Sequence, residues 1–458
     1  MIRKLIAWMD GNPGKAGTFA GWFLQGSSAL SAIGVVPIVI RLLGDSQAGL
    51  WFALNGFVSA IALTDMGIGY VLARQVAFTI SSVSGGAVPG DFVHTGNGWE
   101  GASRVFNAGR RLASLSALAA GGLVLLICHV VLPAGKLVSE SGGEVVWTGY
   151  MLGLSGILLL LAKPHAALVE GVGKLHWSRF LAGIQQLLAG GGSLLAVLIG
   201  GGIREMAGVV CVFSLLYLIA IRRLAVLVAR GQLDFSSGFP AGLPRKLFSV
   251  AFPLGIVNTS SYLISSIQVP LLGSILGPTF VPPLYLAQKV SQLANQAVMQ
   301  TVYPQLPRFT GAIGAGDDAT AARLMGRTFR LGLVFSAVAN LCFVMLSPLA
   351  VEIVVGAGRY PNQLVLWLVA TDSFIMTSCV LGGQFVLASG RNPFLWSTLW
   401  SGVVSLCMTP FLVARFGILG VPVGSLITGL LINYWYVPAC SFRLFRWLVR
   451  RKQSRPPQ

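Results

Sequence analysis

The chain has 458 residues, 55% hydrophobic and only 10% charged, with a mean hydropathy of +0.77 and a net charge of +18. Soluble domains carry about 25% charged residues, which excludes a water-soluble globular class. Many apolar runs reach the roughly 20 residues needed to cross a bilayer, and the basic excess is distributed in a way that excludes nucleic acid as its partner.

The opening MIRKLIAWMDGNPGK breaks at Asp10 and Pro13 before a full apolar region forms. It is therefore no cleavable signal and reads as a short basic amphipathic lead-in on the inner membrane surface. About twelve spans follow, near 17–40, 48–72, 109–132, 146–168, 179–201, 206–229, 248–272, 281–304, 328–350, 363–388, 393–414 and 419–441. Within lipid each segment must satisfy its own backbone, so these runs predict helices, and a β-barrel has no runs of this length.

Basic residues collect on every second connection: Arg104, Arg110 and Arg111; Lys174 and Arg179; Arg222, Arg223, Arg230, Arg245 and Lys246; Arg308, Arg323, Arg327 and Arg330; then the tail from Arg443 to Arg455. About 25 of the 32 Lys and Arg fall there, against five on the other side (Arg41, Lys136, Arg204, Arg359, Arg415) and two within spans (Lys163, Lys289). This asymmetry places both termini in the cytoplasm of a multi-pass membrane protein, with the excess charge facing anionic lipid. The connections on the other side are short. The longest ones, 81–108 and 229–247, are cytoplasmic, and the second reads as a linker between halves.

An internal repeat supports that division. At an offset of 233, Val36-Pro37 matches Val269-Pro270 and Leu43-Gly44 matches Leu276-Gly277. At an offset of 217, Gly109-Arg110 matches Gly326-Arg327 and Gly173-Lys174 matches Gly390-Arg391. One insertion between the second and third spans reconciles both offsets. The expected fold class is an all-α polytopic membrane protein of about twelve transmembrane helices. It forms two six-helix lobes, 1–230 and 231–458, related by a pseudo-two-fold axis along the membrane normal, an arrangement typical of transporters.

Polar groups inside the spans are the candidates for chemistry. A cation at a helix centre costs about 2.5–3.5 kcal/mol on insertion scales, so Lys289 should face a cavity or a partner. Tyr285, Lys289, Gln292, Gln296, Gln300 and Tyr303 fall within roughly an 80° arc of one helix, with Leu286, Val290, Leu293, Ala294, Ala297 and Val298 expected toward lipid. The stripe reads either as the wall of a wet passage or as interhelical hydrogen bonding, and the first is favoured. Asn258, Ser261, Tyr262, Ser265 and Gln268 form a broader polar face on the seventh span. Thr18, Gln25 and Ser28 on the first span, with Asn55 and Ser59 on the second, are repeat-related to these, so the four faces are expected to line one central cavity.

Asp65 and Asp372 are the carboxylates deep in the predicted spans. Either is a candidate for carrying a coupling proton or sodium ion, because a carboxylate withdrawn from water seeks a cation. For Asp65, beside Gly67 and Gly69, a structural cap or gate role is the favoured alternative, and for Asp372 the two readings balance. Lys163 is expected to snorkel to the interface, and His129 to be a satisfied interfacial histidine. The six cysteines lie dispersed in apolar segments, without a C-x-x-C pair, and read as small core residues. No cofactor or metal is expected. Gly171-Val172-Gly173-Lys174 lacks the spacing and hydroxyl of a phosphate loop, and no catalytic constellation sits on an external connection.

The stretch from Arg41 through Leu-Leu-Gly-Asp-Ser-Gln-Ala-Gly-Leu to Trp51, followed by Thr64-Asp65-Met66-Gly67-Ile68-Gly69, resembles the opening of Wzx-type polysaccharide-biosynthesis flippases of the multidrug/oligosaccharidyl-lipid/polysaccharide exporter superfamily. Tyr285 through Tyr303-Pro304-Gln305-Leu306, and Phe416-Gly417-Ile418-Leu419-Gly420, are similar to its eighth- and twelfth-helix patterns. The resemblance implies a V-shaped pair of lobes alternating access in a bacterial inner membrane. The cargo would be a polyprenyl-pyrophosphate-linked oligosaccharide moved from the cytoplasmic to the outer leaflet. It also implies a non-enzymatic, monomeric carrier, associated with glycan-polymerase machinery and in contact with membrane lipids. The two further helices typical of lipid II flippases are not found. Lys289 is the candidate for the pyrophosphate or an acidic sugar. Gln292, Gln296, Gln300, Gln25, Asn55, Asn258 and Ser261 are candidates for sugar hydroxyls, and Tyr262, Tyr285 and Tyr303 for stacking on sugar rings. A cation-coupled multidrug exporter of the same fold is the alternative. A membrane-bound glycan enzyme and a scaffold are weaker ones.

Overall fold

The computed structural model describes residues 9, 11, 13–81, 98–134, 142–234, 238–240, 242–302, 305–314, 316–354, 362–389 and 392–454. Most of the lead-in, much of the 81–108 connection, Lys136, Tyr303, Arg359 and Arg391 lie outside the described residues. Those described are helical, with no strand among them. The helices are α1 (Pro13–Leu30), α2 (Val36–Val58), α3 (Ile68–Ser81), α4 (Gly98–Leu126), α5 (Gly142–Gly171), α6 (Leu175–Leu198), α7 (Ile203–Ala229) and α8 (Leu243–Ser261). There follow α9 (Gln268–Leu276), α10 (Val281–Val302), α11 (Leu306–Gly314), α12 (Asp318–Val354), α13 (Gln363–Ala388), α14 (Leu395–Phe416), α15 (Gly420–Thr428) and α16 (Tyr434–Ser454).

Eight helical stretches among the described residues are long and apolar enough to cross a membrane, and the last, Leu395–Arg450, runs through two of the predicted spans. The chain is a multi-pass membrane protein. Its lipid-facing surface is direct to read on α12, where Leu331, Val334, Val338, Leu341, Met345 and Leu349 are exposed at helical spacing.

Two compact units divide the chain, 1–259 and 260–458, so the boundary falls within α8. In the first unit one core joins Leu72, Phe106, Leu168 and Ile221 to Leu243, Leu247 and Ala251 of α8. A second core joins Leu50 and Leu54 of α2 to Val124, Leu152 and Ile203. The segment after α7 is pinned to α4: Asn107 Nδ2 donates to the Asp234 carbonyl at 3.0 Å, and the Asp234 amide donates to Ser103 Oγ at 3.1 Å. In the second unit Val298, Val302, Phe309, Phe385 and Leu448 form a core, and Ala287, Phe343, Leu366 and Val369 form another.

The repeat recurs in the backbone of each unit. Gly44 (φ 79°) and Gly277 (φ 107°) are the glycines matched at the offset of 233. Gly200 (φ 90°) and Gly417 (φ 63°) stand 217 apart, the second offset. A side chain at positive φ is strained, so each of these turns requires glycine. Short π-helical turns at Ser31–Val35 and Tyr262–Ser266 precede the first pair in both units.

Candidate functional site

The second predicted span is broken. After α2 the chain turns through Ile61–Thr64 and then Asp65-Met66-Gly67, with Met66 at φ 46° and Gly67 at φ 73°. The break carries Asp65 to α5, where Lys163 Nζ donates to its Oδ2 at 2.7 Å, with side-chain exposures of 39% and 14%. Lys163 thus has a carboxylate partner on the broken span, which the sequence reading did not foresee. His129 meets its expectation through a hydrogen bond with the Tyr150 hydroxyl.

The second unit contains a polar cavity of about 140 Å³. Asp372 of α13 sits on its wall. Ser425 Oγ donates to Asp372 Oδ2 at 2.7 Å, and the Tyr434 hydroxyl donates to Oδ1. No cation pairs with Asp372 among the described residues. Three further lining oxygens, Ser401 Oγ, Thr428 Oγ1 and Asn433 Oδ1, are buried without a hydrogen-bond partner among the described residues. Buried polar atoms in native proteins are rarely left so, and a cluster of them beside a carboxylate suits a small polar guest.

Further lining comes from α10. Gln288, Ser291, Gln292 and Asn295 line the cavity at three- and four-residue spacing. Gln288 Nε2 donates to Gln268 Oε1 at 2.8 Å, and Gln268 Nε2 donates to the Ile264 carbonyl at 2.6 Å. Asn295 Oδ1 accepts from Ser373 Oγ at 3.1 Å and also from Thr377 Oγ1, tying α10 to α13.

The predicted stripe of α10 is partly gathered here. Lys289 Nζ donates to Gln292 Oε1 at 3.3 Å and lies 5.2 Å from the Tyr285 ring centroid. Gln292 thus belongs both to the lysine's surroundings and to the cavity. Gln296 is exposed. Tyr303 and the side chain of Gln300 lie outside the described residues. The opposite flank corrects the sequence reading: Leu286 is 2% exposed and Val298 0%, so these two are buried against protein instead of facing lipid, and Val290 is half-buried against a core. Packing against both α12 and α13 leaves α10 too little free surface for a broad lipid face.

Among the remaining candidates, Asn55 Nδ2 donates to the Trp51 carbonyl of its own helix at 2.8 Å, and Tyr262 is buried at 7% exposure. Gln25 is half-buried, and Asn258 and Ser261 are exposed. Sequence reasoning overlooked Gln288, Ser291, Asn295, Ser401, Ser425 and Tyr434. The first three carry a signal, a second polar row on α10. The others become meaningful only once Asp372 is placed beside them.

No family model and no curated protein matches the chain. Solved structures do. An inward-facing multidrug resistance MATE family transporter of the MOP superfamily superposes with TM-score 0.71 at 14% identity, covering 94% of this chain and 96% of that one. Lipid II flippase MurJ, in an inward closed conformation, gives 0.67 at 12% identity over 96% and 93%. The MATE multidrug transporter DinF-BH gives 0.65 at 14% identity over 94% and 96%. The fold is the one these three structures share.

Proposed function

We propose that the chain is a transporter that flips a polyprenyl-pyrophosphate-linked oligosaccharide from the cytoplasmic to the outer leaflet of a bacterial inner membrane by alternating access. The observation that carries this reading is the wall of α10. A lysine stands there with an aromatic ring and an amide row, beside a cavity holding one carboxylate. Hydroxyl-rich cargo calls for many neutral donors and acceptors and one cation for its phosphates, which Gln, Asn and Lys supply. Lys289 holds the anionic head group, and Gln292, Gln296 and Gln300 engage sugar hydroxyls. Tyr285 and Tyr303 offer ring faces. The prenyl tail stays in lipid.

Asp372 is the coupling residue in this reading. Its carboxylate, with hydroxyl and amide oxygens around it, is an all-oxygen environment suited to a proton or a hard cation such as sodium. Asp65 is compensated by Lys163 and serves the broken second span structurally. A cation-coupled multidrug exporter remains the second reading, since the Asp372 cavity serves it equally well, but a lysine on the cargo wall repels organic cations. Deleting the gene tests the choice. Prenyl-linked oligosaccharide should accumulate on the inner leaflet, its mass identifying the cargo. Unchanged glycan lipids together with lost drug resistance would select the exporter.

A further inference from the structure

The second unit has another concavity, of opposite chemistry. It is an apolar groove of about 750 Å³ between α12, α13 and α16. Its lining combines the small residues Gly326, Gly382 and Ala439 with the aromatic rings of Phe329, Trp435, Phe442 and Phe445. Gly382 lets α13 and α16 touch, since a Cβ there would stand 2.5 Å from Ser441 Oγ. Gly326 leaves room, its nearest neighbour being the Phe445 ring at 3.5 Å. The volume lies within the roughly 300–1,000 Å³ of ligand sites, and so smooth an apolar lining offers nothing to a sugar.

One arginine lines the groove, and a second belongs to the same helix as Trp435, Phe442 and Phe445. Arg330 lines the groove, with Nε donating to the Gly326 carbonyl at 3.3 Å, and the Arg446 guanidinium lies 4.2 Å from the centroid of the Phe442 ring. A guanidinium has five N–H donors in a fork that fits phosphate. Both arginines belong to the basic segments that the alternation of charge assigns to the cytoplasmic face. The lining is drawn from several turns of α16, from Phe445 to Trp435, and from Gly382 to Ser378 on α13, a length that suits a lipid tail.

We propose that this groove is a binding site for one anionic phospholipid of the inner leaflet, with an acyl chain between α12 and α16 and the phosphate on Arg330 and Arg446. An ordinary lipid-facing surface is convex and uncharged, as on the Leu331–Leu349 face of α12. This one is concave, lined by aromatic rings and bears an arginine. The inference is independent of the cargo, because the groove shares no lining residue with the Asp372 cavity.

Native mass spectrometry of the purified full chain, released from micelles loaded with phosphatidylglycerol or phosphatidylcholine, tests it. Wild type should retain one phosphatidylglycerol several-fold more than phosphatidylcholine. Gly326→Leu, which fills the groove, should lose both adducts. Arg330→Gln, which leaves the groove open, should keep an adduct and lose the preference. Equal retention of the two lipids by wild type would overturn the assignment, as would phosphatidylglycerol retention unchanged in both variants. Displacement of phosphatidylglycerol by substoichiometric undecaprenyl phosphate would also overturn it, identifying a carrier-lipid site instead.

Discussion

Each unit holds one carboxylate deep within its predicted spans, and the two are handled in opposite ways. In the first unit Asp65 is neutralised by Lys163 at 2.7 Å, across a broken helix. In the second, Asp372 has no cationic partner among the described residues and is held by two hydroxyls at the edge of a cavity containing three further unpartnered oxygens. A compensated charge gains little from binding a cation, whereas a carboxylate solvated by neutral donors gains a great deal. Under the proposed function, the duplicated architecture carries one structural and one exchangeable carboxylate.

The comparison breaks most easily at Asp372. Asp372→Asn should reduce transport to background with protein level maintained, while Asp65→Asn keeps a measurable rate in the same cells. Equal loss in both would erase the distinction. Next comes Lys289→Ala, expected to abolish transport without lowering the amount of protein in the membrane. Normal transport by a stably expressed variant would remove Lys289 from the cargo wall.

Smaller effects sharpen the contrast. Breaking a buried ion pair costs about 3–5 kcal/mol, and the 39% exposure of Lys163 reduces this to about 2 kcal/mol for Lys163→Ala. Its unfolding midpoint in detergent should fall, and Asp65→Leu combined with Lys163→Met should recover most of the loss. A double variant no better than the single one would show that the pair does more than balance charge. Least disruptive is Ser425→Ala. A hydrogen bond to a charged group is worth about 1.5–3 kcal/mol, so the half-saturating concentration of the driving cation should shift by roughly tenfold or more. An unaltered value would place the cation elsewhere.

Much of this molecule was legible from its apolar runs. The tenth predicted span, 363–388, coincides with α13, and the repeat offsets of 233 and 217 reappear as paired positive-φ glycines. Periodicity and turn chemistry are local properties, and sequence records them directly. The sites are not local. Asp65 and Lys163 stand 98 residues apart, and Asp372 stands 53 from Ser425 and 62 from Tyr434, separations no helical period connects. On α10 the row Gln288, Ser291 and Asn295 was open to view but overlapped the more conspicuous Lys289 stripe at Gln292. Burial of Leu286 and Val298 was hidden for a different reason. Apolar residues facing protein and apolar residues facing lipid look alike in sequence, because the bilayer removes the usual polar exterior.

The most direct test of the exchangeable carboxylate is gradient-driven transport in proteoliposomes, with wild type, Asp65→Asn and Asp372→Asn compared under an imposed proton or sodium gradient. Wild type and Asp65→Asn should accelerate when the gradient is applied, and Asp372→Asn should not respond. A full response by Asp372→Asn, or its loss in Asp65→Asn alone, would contradict the assignment of coupling to the second unit.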